Sequence, residues 1–138
     1  GFKVLNESQN NNFLIKDIIV SGDKRVNFKL KNNLLTYSKK DSQNELIINF
    51  NSKKEKKTKE KNIKNEITKY QITLHIDLIL KLLNTNIEHT TSISNSGDYL
   101  VADSYATTLD NEKKLIDNLI ETTLEEILKK INLKLDDI

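Results

Sequence analysis

The stretch Tyr70-Gln71-Ile72-Thr73-Leu74-His75-Ile76-Asp77-Leu78-Ile79-Leu80 decides how this chain folds. Tyr70, Ile72, Leu74, Ile76, Leu78 and Leu80 share one parity, and Gln71, Thr73, His75, Asp77 and Ile79 share the other. Successive side chains on a strand point to opposite faces, so the alternation makes one apolar face and one mostly polar face. The stretch reads as a central antiparallel strand that can run on to Leu83, with a core on one side and water on part of the other.

A long apolar face needs a cover, and the C-terminal segment supplies one. Ile116, Leu119, Ile120, Thr123, Leu124, Ile127, Leu128 and Ile131 advance by alternating steps of three and one, a continuous stripe down one side of a helix. The reading puts Asp110 and Glu112 in the first turn of that helix and Lys129 and Lys130 in its last, the favourable arrangement for its dipole.

Upstream, Phe13 to Val20 is apolar and β-branched apart from Lys16 and Asp17, and Ser21-Gly22-Asp23 ends it as a first strand. Lys24 to Lys40 carries two patterns. Val26, Phe28 and Leu30 alternate, while Val26, Leu30, Leu34 and Tyr37 share a helical face. Its length favours a helix, capped by Asp23 or Ser21 and closed by Lys39 and Lys40. Glu45 to Asn51 reads as a second strand through Leu46, Ile47, Ile48 and Phe50. Lys53 to Asn65 has no apolar residue before Ile63 and reads as a basic hairpin tip or mobile loop. Asn84-Thr85-Asn86 is a turn, and Ile87 to Tyr105 is a last strand expected to bulge or break near Gly97. The order is β-α-β-β-β-α. It implies an α+β two-layer sandwich, with two helices on one face of a four-stranded, mostly antiparallel sheet.

Composition limits the chemistry. A length of 138 residues suits a single domain over 13–138, preceded by a tether over 1–12. Cysteine is absent, so there is neither a disulfide nor a thiolate. No apolar run is long enough to span a bilayer. Methionine is also absent and the chain opens with Gly1, so a trimmed N-terminal segment is expected. The net charge of +2 is small, but its distribution is uneven. Lys53 to Lys69 holds eight lysines against three glutamates, whereas Leu109 to Ile138 holds eight acids against five lysines.

His75 and Asp77 share a strand face, and Glu88 and His89 lie on the next strand, which on paper is a metal set. Without tight ligand spacing they read as exposed histidines on a polar face. Three scattered glycines make no phosphate loop, and no Ser or Thr sits in a nucleophile motif. No catalytic, cofactor or metal residues are assigned, and an enzyme is not expected. The candidate anion-binding residues are Lys53, Lys54, Lys56, Lys57, Lys59 and Lys61.

Three stretches resemble one known family. The opening Gly1-Phe2-Lys3-Val4-Leu5 is similar to the start that follows the lipid-bearing Cys of the LPS-assembly lipoprotein LptE, although Val4 stands where Pro is usual. Lys69-Tyr70-Gln71-Ile72-Thr73-Leu74 resembles that family's Tyr-containing alternating strand. Asp98-Tyr99, Ser104-Tyr105 and the helix from Glu112 to Leu133, with Leu124, Ile127, Leu128 and Ile131, resemble its Ser-Tyr segment and terminal helix. The resemblance implies a signal peptide and lipidated Cys removed before Gly1, and an anchor in the outer membrane on its periplasmic face. It further implies an LptD-like β-barrel partner that the domain plugs and helps to assemble, and binding of lipopolysaccharide (LPS) without any reaction.

Two other readings stand beside it. One is an unrelated small periplasmic interaction domain with the same layers. The other is a polyanion-binding protein acting through Lys53–Lys69. Nucleic acid is not expected as a partner, because the aromatic residues that interleave with lysines in single-strand binders are missing before Tyr70.

Overall fold

The structure is a computed structural model and describes residues 12–136. The expected N-terminal tether therefore lies, but for Asn12, outside the described residues. Six elements follow: β1 (Leu14–Gly22), α1 (Lys24–Leu35), β2 (Glu45–Lys61), β3 (Ile67–Leu82), β4 (Ile87–Leu100) and α2 (Tyr105–Asp136). The strands lie side by side in chain order. β1 runs parallel to β2 with α1 as the crossover, and the β2–β3 and β3–β4 pairs are antiparallel. Both helices pack on one face, as expected.

β3 carries the apolar row read from the sequence. Ile72, Leu74, Ile76, Leu78, Leu80 and Leu82 are all buried. Opposite them, β2 buries Leu46, Ile48 and Phe50, and β1 and its approach bury Phe13, Ile15 and Ile18. From the helices, Val26, Leu30 and Leu34 of α1 and the stripe from Leu119 to Ile131 of α2 close the core. Each such side chain contributes roughly 1.5–3 kcal/mol relative to leaving it in water.

Four expectations are corrected. Of the expected hairpin tip or loop over 53–65, only the end past Lys61 is a turn; Lys53 to Lys61 is the second half of β2, paired with β3 from Lys53↔His75 to Lys61↔Ile67 with register shifts on either side of Glu60. Ladder hydrogen bonds use only backbone groups, so a lysine-rich run pairs as well as an apolar one when its partner strand is long enough. β4 passes Gly97 without a register shift and ends at Leu100, short of Tyr105. Gly97 is there because Leu115 of α2 rests on it; an added Cβ would stand 2.5 Å from the Leu115 Cδ1.

α1 ends at Leu35 and not at Lys40. The Thr36 N–H turns back to the Asn33 carbonyl at 3.2 Å, and Lys39 donates to the Phe13 carbonyl at 2.8 Å beside β1. Finally, α2 begins at Tyr105, so Asp110 and Glu112 fall beyond its first turn, and Lys134 rather than Lys129 or Lys130 occupies its last. Ser104 caps it, its hydroxyl accepting from the Thr107 N–H at 3.1 Å.

One polar junction locks β1, α1 and β2 together. Asp23 caps α1 by accepting from the Val26 N–H at 3.0 Å, and its own N–H reaches Ser52 on β2. The buried Asn27 accepts from the Ser52 hydroxyl at 2.6 Å and donates to the Ser21 carbonyl at 2.8 Å. Gly22 makes this approach possible. Its φ is +97°, and an added Cβ would lie 2.0 Å from the Ser52 carbonyl oxygen. Gly22→Ala should therefore destabilise by roughly 2–3 kcal/mol. Gly97→Ala meets only the flexible end of Leu115 and should change stability by about 1 kcal/mol or less. Urea unfolding of the two variants checks the contrast, and equal losses would contradict it.

Candidate functional site

The helix-facing side of β2 changes character where its cover stops. Leu46, Ile48, Phe50 and Ser52 are buried, and α1 starts level with Ser52, where Asp23 is bonded. The next two residues of that parity are Lys54 and Lys56, both exposed. Beyond α1, α2 alone among the described residues covers this end of the sheet. α2 runs back along β4, so Tyr99 meets Glu112, Gly97 meets Leu115 and Asn95 meets Thr123.

Here a charged and aromatic cluster forms. The Lys56 ammonium lies 2.8 Å from the Glu112 carboxylate and 4.4 Å from the centre of the Tyr70 ring. Tyr70 stacks on Tyr99 with ring centres 5.5 Å apart, and the Tyr99 hydroxyl donates to Glu112. Burial by itself would raise the Glu112 carboxyl, but hydrogen bonds from Lys56 and Tyr99 outweigh it and hold the group below the usual carboxylate range. The same bond from Glu112 raises Lys56 further above neutrality. Burial, and then Glu112, push the Tyr99 phenol up. At neutral pH the cluster is therefore a fixed ammonium–carboxylate pair over two neutral rings. It forms one wall of a cleft of about 310 Å³, and Ile67, Val101, Ala102, Tyr105 and Leu109 supply an apolar wall. The cleft thus joins an ammonium, already paired with a carboxylate, to an apolar wall.

The six candidate lysines do not form one patch. Lys54 and Lys56 take the helix-facing side, and Lys53 and Lys57 take the open side of the sheet. Lys59 sits at the irregularity between Thr58 and Glu60, and Lys61 makes the last pair before the hairpin turn. Lys53 is 3.3 Å from Glu55, Lys54 is 3.9 Å from Asp23, and Lys56 holds Glu112. Lys57, Lys59 and Lys61 have no ion-pair partner among the described residues. Sequence reading missed the contribution of Glu112, Tyr99 and the apolar wall to this site. Lys56 and Glu112 are far apart in the chain, and nothing local announces their contact.

The open face carries hydroxyl groups. Thr73 and Ser96 share a hydrogen bond of 2.7 Å, and the His75 ring bridges Ser94 and Asp77. Ser92 donates to Asp77 at 2.8 Å, and that bond, with help from His75, lowers the Asp77 carboxyl. His89 pairs with Leu80 and so belongs to the helix-facing side, away from His75. No group of three metal-ligating side chains forms among the described residues.

No family model matches the chain, and no curated protein matches it. Solved structures do. The rare lipoprotein B of Shewanella oneidensis is similar at a TM-score of 0.67 with 12% identity, over 88% of this chain and 98% of that one. This chain has the rare lipoprotein B fold. The lipoprotein B of Nitrosomonas europaea is similar at a TM-score of 0.63 with 13% identity, over 91% and 88% of the two chains. A lipoprotein of Caulobacter crescentus follows at 0.61 with 11% identity, over 92% of each.

The Lys56–Glu112–Tyr99 cluster has a testable pH dependence. Because the folded-state carboxyl is lowered, its contribution is present above the ordinary value of 4.5 and is lost as pH falls through the lowered value. Glu112→Gln should cost about 1 kcal/mol near neutrality, since the pair is partly solvated. The gap to the unaltered chain should close in acid. Urea unfolding at a series of pH values measures it, and a gap independent of pH would refute the assignment.

Proposed function

We propose that this chain is a non-enzymatic outer-membrane lipoprotein of the LptE type, held at the periplasmic face by a lipid anchor. In this reading it associates with an LptD-like β-barrel as plug and assembly partner and binds LPS during its insertion into the outer leaflet. The observation that carries the reading is the shared β-α-β-β-β-α sandwich, which spans nearly the whole of a rare lipoprotein B. The likeness of the Gly1–Leu5, Lys69–Leu74 and Asp98–Leu133 stretches to the LPS-assembly family supports it from the sequence side.

The chemistry agrees. LPS joins anionic phosphates to acyl chains, and the cleft joins Lys56 to an apolar wall, with Lys54 on the same face, so that a phosphate binds there by displacing Glu112 and Asp23 from the two lysines. A hydroxyl-rich open face suits the wet lumen of a large barrel. The unpaired Lys57, Lys59 and Lys61 also favour a second reading, polyanion binding, which predicts affinity falling steeply with added salt.

The test is capture. The chain is immobilised, exposed to detergent-solubilised outer membrane from its own source, and washed in moderate salt. A large β-barrel protein should stay bound in near-equal amount, and purified LPS should bind the chain alone. The double change Lys54→Ala, Lys56→Ala should weaken LPS binding about tenfold, as expected for lost charge-assisted phosphate contacts. Retention of neither barrel nor LPS would sink the reading.

A further inference from the structure

The β2–β3 ribbon runs on past the end of β4. Leu100, the last residue of β4, faces Lys69, whereas β2 and β3 stay paired out to Lys61 and Ile67 before they turn. The turn is well built. The Asn62 N–H donates to the Glu66 carbonyl at 2.9 Å, and the Asn62 side-chain oxygen accepts from the N–H groups of Lys64 and Glu66. Asn65 takes up the left-handed conformation with φ 65°, which Asn tolerates better than most residues. On this ordered turn stands Ile63, with 104% of its reference surface exposed. None of the bonds that hold the turn uses the isoleucine side chain.

Other large apolar side chains are exposed at the same end. Leu100, Val101 and Tyr105 lie where β4 stops and α2 begins, and the Val101 N–H is bonded to Thr68 at the base of the projecting ribbon. Single exposed apolar residues are ordinary on proteins. Here the foremost of them crowns the part of the sheet that projects beyond β4, within a collar of cations. Lys59, Lys61 and Lys64 lie within four residues of Ile63 and have no ion-pair partner among the described residues. Of the two acids nearby, Glu60 is already held by Lys69 at 3.1 Å, and the Glu66 carboxylate accepts from the Asn62 side chain at 3.2 Å.

We infer that the hairpin end docks on an anionic lipid bilayer, Ile63 entering the acyl boundary while Lys59, Lys61 and Lys64 meet headgroup phosphates. Shallow insertion of this kind combines apolar burial with attraction between lysines and acidic lipid, and neither alone suffices for stable binding. Lysine stems are long enough to lie along the apolar layer while their ammonium groups stay at the phosphate level.

The chain contains no tryptophan, so Ile63→Trp places a single reporter at a fully exposed site where folding is not at risk. The probes are vesicles of equal parts phosphatidylglycerol and phosphatidylcholine, and vesicles of phosphatidylcholine alone. With the acidic vesicles the emission should shift to the blue and be quenched by brominated lipid. Binding to phosphatidylcholine alone should be weaker by about tenfold or more. In co-sedimentation of the otherwise unaltered chain, Ile63→Asp should weaken binding about tenfold, as expected for exchanging an inserted apolar side chain for a repelled acid. Leu133→Asp, at the other end of the sheet and also exposed, should leave binding unchanged.

Co-sedimentation without a blue shift would show that the lysines bind an anionic surface with no insertion, and would overturn the inference. Equal losses from Ile63→Asp and Leu133→Asp would overturn it as well. The vesicles hold neither LPS nor a barrel, so this result and the capture result can fail independently.

Discussion

β3 is hydrogen-bonded along nearly its whole length on both sides, and its register decides which face every residue of β2 and β4 presents. Side chains alternate strictly, so a slip by one residue would turn Ile72 to Leu82 into water and bring Thr73, His75 and Asp77 into the core. That exchange is prohibitively unfavourable, and it pins three strands at once. With Ile76 facing Ser52 and Ile93, the neighbouring residues fall into rows whose contents follow from the pairing. Lys56, Ile72 and Gly97 share one row, and Thr58, Tyr70 and Tyr99 the next. The cleft is a consequence of these rows and of the helix that runs over them.

The helices divide the sheet into a covered and an uncovered length. α1 is tied to Ser52 through Asp23 and Asn27, and Gly22 allows the chain to pass close enough for those bonds. α2 is 32 residues long, roughly 48 Å at 1.5 Å per residue, and follows β4 back from Tyr99. Where both helices lie over the sheet, β2 carries leucine, isoleucine and phenylalanine. Where α1 no longer reaches, the same parity carries lysine. Glu112 of α2 holds Lys56 over the two tyrosines, so an incoming anion at that position would compete with a built-in carboxylate. Lys57, Lys59 and Lys61 face no such competition.

These features separate the molecule into zones with different chemistry. The core is apolar and closed. The open face is a hydroxyl lattice in which Ser92, Ser94, Ser96 and Thr73 are satisfied by one another and by His75 and Asp77. The far end combines cations, aromatic rings and exposed apolar groups. At that end charge and apolar surface adjoin.

The sequence by itself determined the layers. The alternation from Tyr70 to Leu80 and the stripe from Ile116 to Ile131 are periodic over many residues, and periodic burial leaves one reading for each. The cap of α1 was legible to within two residues, Asp23 or Ser21, because the need is local. Tertiary structure decided the rest. Lys53 to Lys61 carries no apolar pattern, and its strand state is imposed by the length of β3 across the ladder. Gly97 looks like a strand breaker until Leu115 is set upon it. The start of α2 at Tyr105 was hidden in a Ser/Thr-rich run whose local preferences favour no single state. The Lys56–Glu112 contact, and with it the cleft, joins residues whose only relation is that two long elements pack side by side. Such contacts depend on register and helix placement, which are properties of the assembled sheet and not of any short stretch of chain.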